Sequence, residues 1–562
     1  MNNKDKSVAE SRYAVAEHKR QEYENAVLRS PSNKKIVVGG PGTGKTHLFK
    51  SILKGRGKTL TLTFVNALVE DLSLELCGLS DVKTLHGFAL AELNKATEKN
   101  IKVFPKLTVV IKDDARILLG KDVHFDRLFH NRDDTNDHIK FYQKRKDYYG
   151  NYYGYPDIVF AVVRYFEKKS EMIPVFRQVV VDEFQDFNKL EVSLIDLLAT
   201  KSPILLAGDD DQALYESLKS ASSGHIRQRY GDTTYGYAHF TLPYCSRCPR
   251  VIVEATNDVI SGAIRDGYLT SRIIKSFRYF DNEKKDRVSE ANPKLIYSQV
   301  YARRIPYFIQ ERILEVAEEV RDKFSVLIIA PTKIQCRAIV GALKNKGFKN
   351  ISFMEKSDSD KPTLLDGLRL LLEDKKCKLG WRIVAENLLE ASDFEAFLKD
   401  ISQDDVQNIS ELIEAGQKNE VFQMLKVLRM VRDGKQTQNK IELADLLERV
   451  GLDTCEMGKD CLKDEIQPGV SRVANPGIRK TPITVTTIQS SKGLDDDYVF
   501  ITYMDDQYFI KHNDKSKVSD QDICNFIVTL TRARRKVFLI SSDTTKKPLF
   551  LEWIDRKRIR LM

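Results

Sequence analysis

A glycine-rich segment, GGPGTGKT at residues 39–46, lies between the apolar strand pattern KKIVV and the helical pattern HLFKSIL. Strand, glycine-rich turn and helix in this order are typical of a P-loop, whose backbone N–H groups surround phosphate oxygens. Lys45 can place its charge near the β- and γ-phosphates, and the Thr46 hydroxyl can bind Mg²⁺. The segment therefore predicts a nucleoside triphosphate site formed by Gly40, Gly42, Thr43, Gly44, Lys45 and Thr46.

A second segment, VVVDEFQDFNKLE at residues 179–191, places Asp182, Glu183 and Asp186 directly after an apolar run. Carboxylates in this position repel one another and resist burial. Opposite a P-loop they have a use, because Asp182 can bind Mg²⁺ while Glu183 orients and deprotonates the attacking water. An acidic strand end that faces solvent is the alternative. The two segments together predict hydrolysis of ATP with Mg²⁺.

Alternating strand and helix patterns must position these residues. The patterns TLTLTFVN, ALVEDLSLELC and KSPILLAG surround the acidic segment, and a second alternating region begins at FSVLIIAPTKIQCRAIVGALKNKG. Such alternation favours parallel sheets covered by helices. A tyrosine-rich stretch interrupts the first region, and a leucine stripe in TLLDGLRLLLEDKK, followed by helical patterns in ISELIEA and IELADLLERVG, interrupts the second. The sequence predicts two α/β cores, each with an inserted, mainly helical subdomain.

The order of further motifs resembles the superfamily 1A DNA helicases of the UvrD/Rep/PcrA type. TFVN and TLHGF resemble motifs Ia and Ib, ILLAGDDDQALY follows the acidic strand, and LPYCSRCP, TIQSSKGLDDDYVF and VTLTRARRKVFLI resemble motifs IV, V and VI. The resemblance spans almost the whole chain and implies two RecA-like domains. The expected boundaries are 1–94, 173–260 for domain 1A with 95–172 inserted as 1B, and 261–350, 476–562 for domain 2A with 351–475 inserted as 2B.

The same resemblance implies roles for residues around the nucleotide. Gln212 is expected to sense the γ-phosphate, and Arg247 and Arg532 are expected to reach it from the second core. A guanidinium keeps its charge and can hold two phosphate oxygens. Tyr244 is the candidate ring for the adenine, because the usual tyrosine position holds Ser246, and Gln21 fits poorly as the adenine-reading glutamine.

Contacts to single-stranded DNA are also implied by the resemblance. The expected residues are Phe64, Asn66, His86, Tyr215 and Gln489. Aromatic rings at such positions stack on bases of any sequence. The chain departs from the family after motif III, where YESLKSA places Ser217 and Leu218 at positions usually held by tryptophan and arginine. One base-stacking ring is therefore missing.

Two further patterns have competing explanations. The segment FYQKRKDYYGNYYGY at residues 141–155 interleaves basic and aromatic residues, which suits either a nucleic-acid contact or packing within its own domain. Cys245 and Cys248 form a CxxC pair, but a zinc site needs about four ligands. Because this pair overlaps motif IV around Arg247, the cysteines are interpreted as packing residues.

The composition suits a cytoplasmic globular protein. Its 562 residues are 42% hydrophobic, Lys and Arg outnumber Asp and Glu by 90 to 80, and no stretch approaches the length of a membrane span. The expected function is an ATP-dependent 3′–5′ translocase or helicase on single-stranded or partly duplex DNA. The alternative is a nucleotide-gated DNA-binding subunit that switches a separate partner such as a nuclease. The resemblance also extends to compact helicases that are subunits of phage-defence systems such as Gabija. No nuclease domain is expected after Arg532.

Overall fold

A computed structural model describes residues 3–64, 66–98, 100–214, 221–320, 323–353, 361–402, 409–432, 481–510 and 517–562. The chain divides into two compact units. The core unit comprises the described residues within 1–88, 166–356 and 470–562. The insertion unit comprises those within 89–165 and 357–469. Each unit is therefore assembled from segments that are distant in sequence.

The strands of the described residues follow in chain order. They are β1 (Lys34–Gly39), β2 (Thr59–Thr63), β3 (Asp81–Thr84), β4 (Lys102–Val103), β5 (Tyr152–Tyr153), β6 (Gln178–Val181), β7 (Ile204–Gly208), β8 (Ala238–Leu242), β9 (Tyr244–Cys245), β10 (Arg278–Tyr279), β11 (Leu295–Gln299), β12 (Val326–Ala330), β13 (Ile351–Phe353), β14 (Ile483–Thr487), β15 (Asp496–Ile501), β16 (Ala533–Ser541) and β17 (Ile559–Leu561).

The α-helices of the same residues are numbered likewise. They are α1 (Asn3–Arg29), α2 (Lys45–Leu53), α3 (Asn66–Glu75), α4 (Leu85–Thr97), α5 (Leu107–Leu119), α6 (Phe125–His130), α7 (Asp137–Tyr148), α8 (Tyr155–Lys168), α9 (Lys189–Ala199), α10 (Gly224–Gly231), α11 (Arg250–Arg265), α12 (Glu283–Ala291), α13 (Ile305–Glu319), α14 (Lys333–Asn345), α15 (Leu364–Glu373), α16 (Lys378–Leu388), α17 (Ala391–Asp400), α18 (Ala415–Arg432), α19 (Asp506–Phe509), α20 (Asp520–Leu530) and α21 (Leu549–Trp553). None of these helices is both long and apolar enough to cross a lipid bilayer.

The first sheet of the core unit has six strands in the order β3-β2-β6-β7-β1-β8, and all its pairs are parallel. The central strands β1, β6 and β7 are almost entirely buried, as expected for a parallel sheet covered by helices. Because the strands run in one direction, the loops that follow β1, β2, β6 and β7 lie at one edge of the sheet. These loops carry the P-loop, the acidic segment and GDDDQ.

The second sheet has seven parallel strands in the order β13-β14-β12-β15-β16-β11-β17. Apolar residues of β12, β15 and β16 form its centre and are packed on both faces. The two parallel sheets confirm the predicted α/β fold with two RecA-like domains. The strands predicted in ITVTTI, DYVFIT and KVFLISS are β14, β15 and β16.

The insertion unit is mainly helical. The leucine stripe of α15 is core, because Leu364, Leu368 and Leu371 are buried. The helix predicted over ISELIEA is instead a 3₁₀ turn at Ile409–Leu412, and a segment this short nucleates an α-helix poorly. The helix predicted over IELADLLERVG lies outside the described residues.

A buried ion-pair cluster joins the sequence-distant parts of the insertion unit. Asp114 accepts from Arg145 at 2.8 Å and pairs with Arg382 at 2.9 Å. Although burial favours the neutral acid, Arg382 and Arg145 hold the pKa of Asp114 below its usual value. Lys146 pairs with buried Asp157 at 3.3 Å. The basic residues Arg145 and Lys146 of the tyrosine-rich segment therefore serve packing within the unit.

Candidate nucleotide site

The P-loop connects β1 to α2. Thr43 donates its hydroxyl to the Gly40 carbonyl at 2.9 Å, and Lys45 Nζ lies 3.2 Å from the Gly39 carbonyl. Gly44 precedes α2 with φ of 90°, so the first turn of the helix starts directly from the loop. The N–H groups of that turn and the helix dipole favour an anion at this point. Thr46 is half-buried in the same turn.

The loop that resembles motif IV packs directly on the P-loop. The Ser246 N–H donates to the Gly42 carbonyl at 2.9 Å. A Cβ added at Gly42, whose φ is 66°, would lie 2.3 Å from Arg247 Cβ, so glycine is required there by both conformation and space. Arg247 also pairs with Asp495 at 2.9 Å. This loop therefore brings the predicted Arg247 beside the glycine-rich turn that follows β1.

The acidic pair follows β6 at the same sheet edge. The Glu183 N–H donates to Asp182 Oδ1 at 2.9 Å, and Gln185 Nε2 donates to Glu183 Oε2 at 2.6 Å. Burial and the adjacent Glu183 carboxylate raise the pKa of Asp182. Although burial opposes ionisation, Lys492 and Lys45 lower the pKa of Glu183. Glu183 is thus held as the carboxylate that a general base requires, while Asp182 is a buried acid that a cation would stabilise.

Lys492 is part of the site but was not identified from the sequence. It follows β14 of the second sheet, and its Nζ lies 2.5 Å from Asp186, 3.4 Å from Glu183 and 2.8 Å from the Gln212 carbonyl. Its neighbours Ser490, Ser491 and Gly493 do not show which acidic residues it pairs with. Lysine next to glycine in motif V was the signal, and its partner is separated from it by 306 positions.

The predicted γ-phosphate sensor and one predicted arginine meet. Gln212 Nε2 donates to Asp209 at 2.7 Å, and Arg532 Nη2 donates to Gln212 Oε1 at 3.1 Å. Burial and the nearby Arg247 lower the pKa of Arg532 to about 10, which still leaves it charged at neutral pH. Arg532 precedes β16 of the second sheet and Gln212 follows β7 of the first. The two sheets therefore share one polar cluster.

Three consecutive aspartates, Asp209 to Asp211, precede Gln212, and Asp209 accepts from its side chain. Their carboxylates lie close enough to bind a cation, but Lys275 is within 2.9 Å of all three and Arg272 pairs with Asp211 at 2.6 Å. Although burial disfavours its charge, these acids raise the pKa of Lys275. The negative charge is thus balanced by side chains of the SRIIK segment, whose role sequence patterns did not reveal.

Tyr244 lies in a small aromatic group. Its ring is 6.0 Å from that of Tyr23 and 6.4 Å from that of Phe280, both in edge-to-face geometry. Tyr244 is half-buried and lies two residues before Ser246, whose N–H donates to the Gly42 carbonyl. Gln21 instead donates to Glu17 on the surface of α1. The rings of this group can contact a base, while the Gln21 amide bonds to Glu17 instead of reading that base.

The CxxC pair is buried beneath the same loop. The Cys248 N–H lies 3.5 Å from Cys245 Sγ, and the Cys248 thiol donates to the Thr531 carbonyl at 3.4 Å. Both cysteines belong to an apolar core cluster. Because Thr531 precedes Arg532, the pair helps to hold Arg247 and Arg532 in position.

The expected strand-contact residues lie at the ends of different strands. Phe64 follows β2 and is 8% exposed, with its ring edge-on to Phe187 at 5.6 Å. His86 follows β3, and its Nε2 lies 3.7 Å from Glu191. Gln489 follows β14 and is half-buried. Tyr215 and the side chain of Asn66 lie outside the described residues, as do Ser217 and Leu218.

Comparisons with known proteins agree with the motifs. Residues 23–218 match a family described as AAA domain. A segment of 66 residues is 36% identical to DNA helicase II of Haemophilus influenzae and covers 11% of this chain and 9% of that protein. A segment of 111 residues is 30% identical to the ATP-dependent DNA helicase PcrA of Staphylococcus aureus and covers 19% of this chain and 15% of that protein. The chain thus aligns with less than a fifth of the length of either relative, and the similarity supports a superfamily 1 helicase.

Proposed function

We propose that this chain is an ATP-hydrolysing motor that moves along single-stranded DNA. The observation that carries the proposal is the polar cluster in which Gln212 and Glu183 of the first sheet contact Arg532 and Lys492 of the second. Because the catalytic groups are divided between the domains of the two sheets, which we call the two lobes, hydrolysis depends on how the lobes are arranged. The similarity to proteins named as DNA helicases supports nucleic acid as the track.

In this proposal the P-loop binds the triphosphate of ATP, and Thr46 and Asp182 hold Mg²⁺. Bound Mg²⁺ would supply positive charge that neutralises the phosphate oxygens and the carboxylate of Asp182, whose pKa is raised by burial. Lys45 lies at the amino end of α2, where its ammonium can reach the outer phosphates. Tyr244 contributes a ring toward the base.

Glu183 takes the proton of the attacking water. Its carboxylate is oriented by Gln185 Nε2 at 2.6 Å, and the nearby lysines keep it ionised. Gln212 reports whether a γ-phosphate is present, and Arg247 and Arg532 stabilise the charge that develops on it. Loss of the phosphate removes the anion that draws these arginines together, which releases the second sheet from the first.

Alternating closure and release of the two lobes advances the protein along one strand. Phe64, His86 and Gln489 are placed at carboxyl ends of parallel strands, where ligands of such sheets bind. The family resemblance supports 3′-to-5′ travel. The alternative function is a nucleotide-gated DNA sensor that switches a nuclease or another defence partner.

The test is ATP turnover with and without single-stranded DNA, followed by displacement of a labelled strand from a duplex with a 3′ tail. Stimulated turnover with displacement supports the motor, whereas tight nucleotide-dependent DNA binding with negligible turnover supports the sensor. Lys45→Ala is the inactive control for contaminating hydrolases. Lys54→Ala, which removes an exposed lysine at the other end of α2, is its matched control and should retain wild-type turnover.

A further inference from the structure

A buried lysine of the second lobe lies among the aspartates that precede Gln212. Lys275 belongs to residues 266–277, which connect α11 to β10. Leu269 and Phe277 of this connection are part of the apolar core that includes β12, β15 and β16 of the second sheet. The Lys275 side chain is 4% exposed and contacts the loop that follows β7 of the first sheet. The second lobe therefore supplies a cation to the first.

Asp209 connects this lysine to the predicted catalytic groups. Lys275 Nζ lies 2.9 Å from Asp209 Oδ1, and Asp209 Oδ2 accepts from Gln212 Nε2 at 2.7 Å. The Asp209 N–H donates to Gln185 Oε1 at 3.0 Å, and Gln185 Nε2 donates to Glu183 at 2.6 Å. One aspartate therefore adjoins both the predicted phosphate sensor and the group that orients the predicted base.

The orientation of the Gln212 amide follows from its two partners. An ionised Asp209 can only accept a hydrogen bond, so the amide nitrogen must face it. The Arg532 guanidinium can only donate, so the amide oxygen faces it at 3.1 Å. Because Nε2 carries two hydrogens, its second hydrogen can then bond an oxygen of the γ-phosphate. A protonated Asp209 would be a donor and would no longer select this orientation.

Lys275 opposes the conditions that favour protonation of Asp209. Asp209, Asp210 and Asp211 are all buried, and like charges in such a site disfavour ionisation. Burial, together with Asp211 and Asp210, raises the pKa of Asp209, whereas Lys275 acts against this rise. The other two aspartates have further ion-pair partners, which are Arg227 and Arg272. Within the ranges that the structure describes, Asp209 has an ion pair with Lys275 alone.

We propose that Lys275 is a positioning residue, which keeps Asp209 an acceptor and thereby holds the Gln212 amide in the orientation that detects the γ-phosphate. The sensor of the first lobe is thus aligned by a residue of the second, at a place separate from the arginines. The inference rests on the proposed function, in which Gln212 is that sensor.

The experiment compares the affinities of the full chain for a fluorescent ADP and for a fluorescent, non-hydrolysable ATP analogue, each with Mg²⁺. In Lys275→Met the preference for the triphosphate should fall roughly tenfold or more, because a charge-assisted hydrogen bond to the γ-phosphate is lost. The ADP affinity should stay close to that of the wild type, since the P-loop is unchanged. Unfolded molecules bind neither nucleotide, so partial unfolding does not alter this ratio of affinities.

Two variants of the same connection separate charge from local packing. Lys275→Arg keeps the cation and should retain most of the preference for the triphosphate. Ile274→Ala is the matched control, because the neighbouring Ile274 side chain is 92% exposed, and it should bind both nucleotides as the wild type does.

A double-mutant cycle tests whether Lys275 acts through Gln212. In the Gln212→Ala background there is no amide to orient, so Lys275→Met should have little further effect on the ratio of affinities. If Lys275→Met alone does not fold, Lys275→Met/Asp210→Asn removes one acid together with the cation, retains Asp209, and should show the same loss of preference.

A wild-type ratio in the folded methionine variant would overturn the inference, as would an equal loss in the wild-type and Gln212→Ala backgrounds. Either result would leave the proposed function intact. Absence of DNA-stimulated ATP turnover by the wild type would instead overturn the proposed function.

Discussion

Replacing Lys492 with methionine removes an ammonium group that is 3% exposed and lies among acidic side chains of the first sheet. Methionine keeps the length of the side chain but leaves Asp186 without a cation at 2.5 Å and Glu183 without one at 3.4 Å. The Gln212 carbonyl also loses its donor. The substitution therefore tests whether this lysine holds the two sheets together.

The magnitude follows from the burial of the pair. Removing one partner of a buried ion pair costs about 3–5 kcal/mol, because the remaining charge is left in an apolar environment. In a unit of this size, 1 kcal/mol lowers the melting temperature by about 1–2 °C. Lys492→Met should therefore lower the melting temperature of the core unit by about 3–10 °C.

The assay is differential scanning calorimetry of the wild type, Lys492→Met, Lys492→Arg, Asp186→Asn and Lys492→Met/Asp186→Asn. The arginine variant keeps the charge and should lose less stability than the methionine variant. The double variant removes both partners, so its loss should be smaller than the sum of the single losses. A methionine variant that melts within 1 °C of the wild type would refute the structural reasoning.

Glu183→Gln should lower ATP turnover at least 100-fold while a fluorescent nucleotide still binds, since the amide cannot accept the water proton; near-normal turnover would remove Glu183 from the base role. Gly42→Ala should weaken nucleotide binding at least tenfold, because its Cβ would meet Arg247 at 2.3 Å with φ at 66°, and an unchanged titration would contradict this steric argument. Burial raises the pKa of Asp157 to about 6, above the roughly 3.9 of the unfolded chain, so the folded insertion unit binds more protons between these values. Its unfolding free energy should fall by about 3 kcal/mol as pH rises from about 4 to 7, and Asp157→Asn should flatten that dependence in melting curves.

The positions of the contiguous parts of the candidate site could be predicted from the sequence. The P-loop and the acidic segment each consist of consecutive residues. Both follow strands of the same parallel sheet, so they lie at the same edge of that sheet. Gln212 and Arg532 were found through motifs, although their direct contact needs the folded sheets. Each motif includes the strand next to the residue, so the motif also predicts at which end of its strand the residue lies.

Pairs between distant segments could not be predicted in this way. The local sequence around Lys492 and Lys275 does not show which residues they pair with. Only the fold shows that their partners are buried acids. Likewise, basic residues next to tyrosines suggested a possible strand contact, but Arg145 is paired with buried Asp114. Burial and pairing are tertiary properties, so a charge pattern alone did not decide between an interface and a core.

The insertion unit has a consequence for synthesis of the protein. Asp114 lies in the first segment of the unit and pairs with Arg382 in the second. The two segments are separated by about 190 residues, which a ribosome takes roughly 10–40 s to add. During that interval the first segment emerges without its apolar and charged partners. The insertion unit therefore cannot complete its buried charge cluster until translation has passed Arg382.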